Sequence, residues 1–304
     1  MNDPIWGIDL GGTKIEGVIL PSLNEATPIL RMRIDSESGK GYPHILERIS
    51  LLISQMQDQS GLRPTKIGFG TPGVLDPILK TMKNCNSTAL NGQPLQSDLE
   101  NILGVPVVLA NDANCFALAE THWGVVKQKF DGAAVVFGII MGTGVGGGIV
   151  VNGKLWNGRH GIAGEWGHNF LDESGGPCYC GKTGCVETVL SGPALEKFYQ
   201  SISGRKATLK EITHNYLSQP SDDAAKQTIE RLALFFGKAV SVVTNLLDPD
   251  IIVVGGGVGN IDVLYTSGIE SLRSHIFNNR LDVEVCKPAL GDSAGVFGAA
   301  ALVS

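Results

Sequence analysis

The stretch Ile5-Trp-Gly-Ile-Asp9-Leu10-Gly11-Gly12-Thr13-Lys14-Ile15-Glu-Gly-Val-Ile-Leu20 reads as an apolar strand, a glycine tip and a second apolar strand. That is a hairpin, and its tip is chemically suggestive. Glycines let backbone N–H groups come close to an anion, and Thr13 and Lys14 add a hydroxyl and a positive charge. Asp9, at the strand end, is suited to hold a hydrated Mg²⁺. Alone, the motif reads equally well as an ordinary turn. A second apolar strand from Ala133 to Met141 enters Gly142-Thr143-Gly144-Val145-Gly146-Gly147-Gly148 and leaves through another strand-like run, repeating the arrangement. A third turn, Gly255-Gly256-Gly257-Val258-Gly259, comes after the buried-strand run at 250–254 and precedes an expected helix from Asp262. It suits close backbone approach to a ligand, or simply a tight strand-to-helix connection. Together the three turns fit a nucleotide lying between two related lobes.

Length and composition bound what the chain can be. With 304 residues and 43% hydrophobic content it can bury a large core, and its length suggests two lobes with a cleft. No apolar stretch approaches a bilayer span, and the N-terminus lacks a basic region leading into an apolar one, so a cytoplasmic protein without membrane contact is expected. A formal charge of -6 without a Lys/Arg-rich run disfavours nucleic acid as a partner. Two glycine patterns are decoys. Gly142, Gly144 and Gly147 have the dinucleotide-fingerprint spacing, but a strand comes next where that motif needs a helix. The run from Gly176 to Thr183 matches the P-loop pattern without a preceding strand, which leaves Lys182 as a surface residue.

Cys178-Tyr-Cys180-Gly-Lys-Thr-Gly-Cys185, with His168 upstream, has the spacing of a metal site. Four N/S ligands mean tetrahedral Zn²⁺ without an open position, hence a structural brace; a reduced cysteine cluster is the plainer alternative. Cys85, Cys115 and Cys286 stand alone and read as buried apolar residues. Asp112, in Asn111-Asp-Ala-Asn114, sits where a strand hands over to a helix, a position for an N-cap or for a general base. Glu165 and Glu187 flank the cysteine loop. Held rigid by zinc they suit bidentate hydrogen bonding to neighbouring sugar hydroxyls; alone, each reads as a solvated surface charge.

These motifs, together with Asp248-Pro-Asp250 and over essentially the whole chain, resemble the ROK family of sugar kinases (repressor, open reading frame, kinase). The resemblance implies an actin-like ATPase (ribonuclease H-like) fold of two lobes closing over ATP and a hexose. The first lobe would be residues 1–120, with the small-residue helix at 291–304 packing back on it. The second would be residues 121–290, with the zinc loop at 168–187. Position by position, Asp112 would be the general base on the sugar 6-hydroxyl, and Gly73, Asn111, Glu165, His168 and Glu187 would bind sugar. His168 would use one ring nitrogen for the sugar and the other for zinc, shared with Cys178, Cys180 and Cys185. Asp9, Gly11, Gly12, Thr13 and Lys14 would line the phosphate and Mg²⁺ side with Gly142, Thr143 and Gly144, and Gly255, Gly256 and Gly257 would lie against the adenosine.

Within the family, the segment from Asn84 to Leu95 and the run from Gly164 to Asn169 look most like bacterial fructokinases, which points to fructose. N-acetylglucosamine, N-acetylmannosamine and glucose kinases are the alternatives. Ala89 stands where a larger aromatic is expected, which would widen the sugar pocket. The family also contains sugar-responsive repressors, but only eight residues precede Asp9, too few for a helix-turn-helix. Homodimers are common among similar proteins, though nothing in the sequence identifies an interface.

Overall fold

The computed structural model describes residues 3–304. The chain begins with strands β1 (Ile5–Leu10), β2 (Lys14–Leu20) and β3 (Leu30–Asp35), then helix α1 (Tyr42–Ser60) and strand β4 (Ile67–Thr71). A short hairpin, β5 (Val74–Leu75) and β6 (Met82–Lys83), leads to α2 (Leu95–Leu103), β7 (Val107–Asn111), α3 (Asp112–His122) and α4 (Val125–Lys129). Strands β8 (Val135–Met141), β9 (Val145–Val151) and β10 (Lys154–Leu155) come next, then α5 (Val186–Leu190), α6 (Gly192–Ser203), α7 (Leu209–Ser218) and α8 (Asp223–Leu247). The chain closes with β11 (Ile251–Gly255), α9 (Gly256–Gly259), α10 (Ser267–His275), β12 (Glu284–Cys286) and α11 (Ala294–Ala301).

Two five-stranded sheets share one plan. The first has the order β3-β2-β1-β4-β7 and the second β10-β9-β8-β11-β12, so each runs third, second, first, fourth, fifth strand. In the first, β1–β2 and β2–β3 pair antiparallel while β1–β4 and β4–β7 pair parallel. In the second, β9–β10 is antiparallel and β8–β11 and β11–β12 are parallel. Pattern tracks position. The interior parallel strands β4 and β11 are buried at every residue, whereas edge strand β3 alternates half-buried Leu30, Met32 and Ile34 with exposed Arg31, Arg33 and Asp35.

The chain divides into two compact units. Unit 1 takes the described residues up to Asp131, Gly148–Ala163 and Ala289–Ser304; unit 2 takes Gly132–Gly147 and Gly164–Pro288. This division differs from the expected boundary at residue 120, because α3 runs on to His122 and α4 packs beside it through buried Val125 and Val126. It also assigns 148–163 to unit 1. Glu120 fastens the returning chain there. Its fully buried carboxylate accepts from Val125 N–H at 2.9 Å, Ala289 N–H at 3.0 Å and Leu290 N–H at 2.9 Å.

In unit 1, α1 lays Ile45, Ile49, Leu52, Ile53 and Met56, an amphipathic stripe, on the sheet's core with Trp6, Ile8 and Phe69. Helix α11 packs against β1, β4 and α3, and glycine makes that possible. A Cβ at Gly68 would stand 1.8 Å from Ala299 O, and one at Gly298 1.8 Å from Cys115 O. No helix among the described residues is long and apolar enough to cross a membrane. Gly298→Ala forces backbone against backbone, and is expected to lower unfolding free energy in urea by about 1–3 kcal/mol or more; an unchanged midpoint would mean α11 has room to shift.

Candidate active site

In unit 1 the glycine tip between β1 and β2 is closed by Gly11 N–H donating to Lys14 O at 3.0 Å. It is fixed from behind by residues that sequence reasoning missed. Ser36 Oγ at 2.7 Å and Ser38 Oγ at 2.5 Å both donate to Gly12 O, and Ser36 N–H donates to Thr13 O at 2.9 Å. Ser36 is wholly buried, while Gly12, Thr13 and Lys14 stay exposed, so the tip is both rigid and presented.

Asp9 lies at the end of β1 in a row of charges. It pairs in register with Glu16 on β2, which pairs with Arg33 on β3. The buried Glu16 carboxylate is held by Arg31 and Arg33. Asp9 presses its carboxylate against Gly295 at the start of α11, where an added Cβ would be 2.8 Å from Oδ2. Burial, then the neighbouring Asp112 and Glu16 carboxylates, push the Asp9 carboxyl up to about 6, with Arg33 pulling the other way. A carboxylate in such surroundings is poised to take a proton or a cation, which fits a hydrated Mg²⁺.

Asp112 is not the cap of α3. That cap is Asn111, whose side chain accepts from Asn114 N–H at 2.8 Å. Asp112 occupies the first helical position and accepts its neighbour's Ala113 N–H at 2.8 Å. Burial pushes its carboxyl up against that hydrogen bond. Asn111, expected to bind sugar, thus has its Oδ1 in the cap. Gly73 has a packing reason to be glycine, since a Cβ there would meet Cys85 Sγ at 2.4 Å.

In unit 2, His168, Cys178, Cys180 and Cys185 converge with their ligand atoms all within 4.8 Å of one another. Cys180 Sγ lies 3.6 Å from Cys185 Sγ, and Cys178 Sγ 3.6 Å from His168 Nδ1. Tetrahedral zinc, with bonds of about 2.3 Å to sulfur and about 2.0 Å to nitrogen, sets its ligand atoms about 3.5–3.8 Å apart. The residues fit that ion. Among the other cysteines, Cys85, Cys115 and Cys286 are buried, as expected. Lys182 is exposed, and its carbonyl accepts Cys178 N–H at 2.8 Å as part of the metal loop.

The loop's carboxylates have definite neighbours. Glu187 Oε2 accepts Val145 N–H at 2.9 Å and lies where a side chain on Gly144 would be. The residue two places after the last cysteine therefore braces the glycine turn between β8 and β9. Glu165 precedes the short helical turn Trp166–His168, which is anchored by Trp166 Nε1–H donating to Gly146 O at 3.0 Å. Tyr179, absent from the expected set, is 74% exposed and places Oη 3.0 Å from His168 Nε2. Burial of part of the ring, then Glu187 and Glu165, push its phenol up to about 12.

The glycines of the remaining turns separate into two kinds. Gly256 has φ +83° and sits where a Cβ would be 2.2 Å from Met141 O, so the fold itself demands it. Gly142 and Gly257 have ordinary φ and open space where a side chain would project. Gly142 O accepts Gly192 N–H at 2.8 Å, tying that turn to the start of α6, and Thr143 is exposed at its tip. The helix expected from Asp262 starts there as a 3-10 turn, Asp262–Tyr265, and is followed by α10 from Ser267, while the short α9 lies within the third glycine turn.

A model of the ROK family matches residues 5–304. The chain belongs to the ROK family. N-acetyl-D-glucosamine kinases of Histophilus somni and Vibrio cholerae are 33% and 34% identical to it, each alignment covering 98% of both proteins. The crystal structure of the ROK hexokinase from Thermus thermophilus superposes with a TM-score of 0.87 at 28% identity, over 98% of this chain and 97% of that one. As a sugar kinase of this family the chain has the actin-like ATPase fold, whose repeated sheet is the strand order seen above. The fructokinase subtype is not carried by these relatives.

Two outcomes are expected. Asp9 titrates near 6 here and near 3.8 when unperturbed, so the folded state binds more protons between those values and loses stability as pH rises through them. Asp9→Asn should therefore raise the Tm of the ligand-free protein at about pH 7.5 and leave it nearly unchanged at about pH 4; equal shifts at both would remove the electrostatic account. Cys180→Ser should lower Tm and raise the sugar KM together. A fully active, metal-free Cys180→Ser protein would contradict a bracing metal.

Proposed function

We propose that the protein transfers the γ-phosphoryl group of ATP to the 6-hydroxyl of N-acetyl-D-glucosamine. The observation that carries the choice of sugar is the full-length match, at 33–34% identity, to relatives named as kinases of that sugar. The contrary reading, fructose, rests on the segment from Asn84 to Leu95. Much of that segment has internal work. Asn91 accepts Cys85 N–H at 2.9 Å and donates to Cys85 O at 3.2 Å, and Ala89 packs against the unit 1 core. Residues that serve folding discriminate poorly between sugars.

Asp112 is the proposed base. Its buried carboxylate, raised in basicity by desolvation, accepts the proton of the attacking hydroxyl. Asn111, Glu165, His168, Glu187 and the backbone at Gly73 are assigned to orienting the sugar, with the other ring nitrogen of His168 turned to the metal site. Asp9 would hold Mg²⁺, whose charge would offset that of the phosphates. Thr13, Lys14 and the N–H groups of Gly11, Gly12 and Gly142–Gly144 would hold the phosphate oxygens, and Gly255–Gly257 would lie along the adenosine. Placement and charge neutralisation are the main requirements of a loose phosphoryl-transfer transition state. Zinc would be structural, keeping Glu165 and Glu187 in place.

ADP release with MgATP, compared as kcat/KM across N-acetylglucosamine, N-acetylmannosamine, glucose, mannose and fructose, tests the substrate. N-acetylglucosamine is expected to lead; a lead for fructose would restore weight to residues 84–95, and silence on all five would overturn the kinase assignment. Asp112→Asn should keep sugar binding by calorimetry and lose about 10²- to 10⁴-fold in kcat. Near wild-type turnover in that variant would show that another group takes the proton.

A further inference from the structure

The segment from Asn84 to Leu95 belongs to unit 1, and there it touches two others that carry assignments. One is the turn after β4. Asn86 N–H donates to Pro72 O at 3.1 Å, and Cys85 Sγ fills the space that a Gly73 side chain would need. The other is the glycine tip between β1 and β2, where a Cβ added at Gly12 would stand 3.6 Å from Ser87 Oγ. Ser36 and Ser38 hold the carbonyl of that same glycine, so its backbone is fixed where Ser87 meets it.

Ser87 is itself held in place. Asn86 before it is tied to Pro72, Ser87 O accepts Leu90 N–H at 3.0 Å, and Leu90 is fully buried. Its half-buried hydroxyl serves no group of the fold among the described residues, whereas Asn91 in the same segment is committed to Cys85. A fixed backbone carrying an uncommitted hydroxyl suits a ligand. Its neighbours indicate which part of the ligand. Gly73 is assigned to the sugar and Gly11–Lys14 to the phosphates, and the group that passes from one to the other is the γ-phosphoryl.

Resting on that reading, we propose that Ser87 is a further catalytic residue: its Oγ–H donates to an oxygen of the γ-phosphoryl group during transfer. As the bond from phosphorus to the β,γ-bridging oxygen breaks and that to the sugar 6-oxygen forms, the hydroxyl proton of the sugar passes to Asp112 and ADP leaves. Charge stays on the outer oxygens throughout, and a donor fixed beside one of them stabilises the transition state.

The test measures kcat and KM for ATP and for the leading sugar in wild type, Ser87→Ala and Ser87→Thr. Calorimetry gives the affinities for ADP and sugar, and circular dichroism the Tm. A hydrogen bond to a charged group made in the transition state predicts kcat about 10- to 100-fold lower in Ser87→Ala, with sugar KM, both affinities and Tm near wild type. Ser87→Thr keeps the hydroxyl and should restore most of the turnover. A raised sugar KM with kcat unchanged would put the hydroxyl on the sugar, and a lowered Tm with equal loss in both variants would make Ser87 a folding residue; either result overturns the proposal. Unchanged kinetics in Ser87→Ala beside an active wild type would overturn it while leaving the kinase reading intact. Wild type silent with every sugar would overturn that reading, and this proposal with it.

Discussion

The close approach of α11 to the first sheet is the contact on which unit 1 depends. A helix packed through side chains keeps its axis well away from a neighbouring element; Gly7, Gly68 and Gly298 remove the side chains and let backbone meet backbone. The start of α11 thereby comes to rest at the end of β1, with Gly295 leaving just enough space for the Asp9 carboxylate. Glu120 secures the same arrangement by binding the residues that lead into the helix. The last helix of the chain thus shapes the surroundings of an aspartate among the first ten, whose carboxyl is pushed up to about 6 by burial beside two other acids.

Sequence and structure agree best where the information is local. Continuous apolar runs identify the two strand-turn-strand units, and the ligand spacing of the cysteine loop identifies a cluster that the fold brings within metal-binding distance. Rejection of the dinucleotide and P-loop patterns also rests on local context: strand β9 leaves the turn after β8 where a helix would be needed, and no strand leads into Gly176.

The rest depends on distant partners. Nothing near Ser36 in the chain announces that it holds Gly12 from across the hairpin, and a serine in a loop has no distinguishing pattern. Asn111 and Asp112 are adjacent, and either is a good cap; only the three-dimensional path decides which side chain turns back on Asn114. The motif Asp248-Pro-Asp250 reads only as part of the family resemblance; in the structure Asp248 ends α8 in a left-handed conformation and Asp250 accepts from Ala134 and Val135 N–H, so it serves the start of two strands. Fructose is suggested for the same kind of reason, by a segment whose asparagine and alanine are occupied with Cys85 and the core.

Glu187 couples two neighbouring elements of unit 2. One oxygen of this residue, two places past a cysteine of the metal site, props the turn between β8 and β9 through Val145. Because the residue that props the turn follows Cys185 by two places, the metal-ligand cluster and the glycine turn are held as one mechanical unit, and a displacement of either is felt by the other.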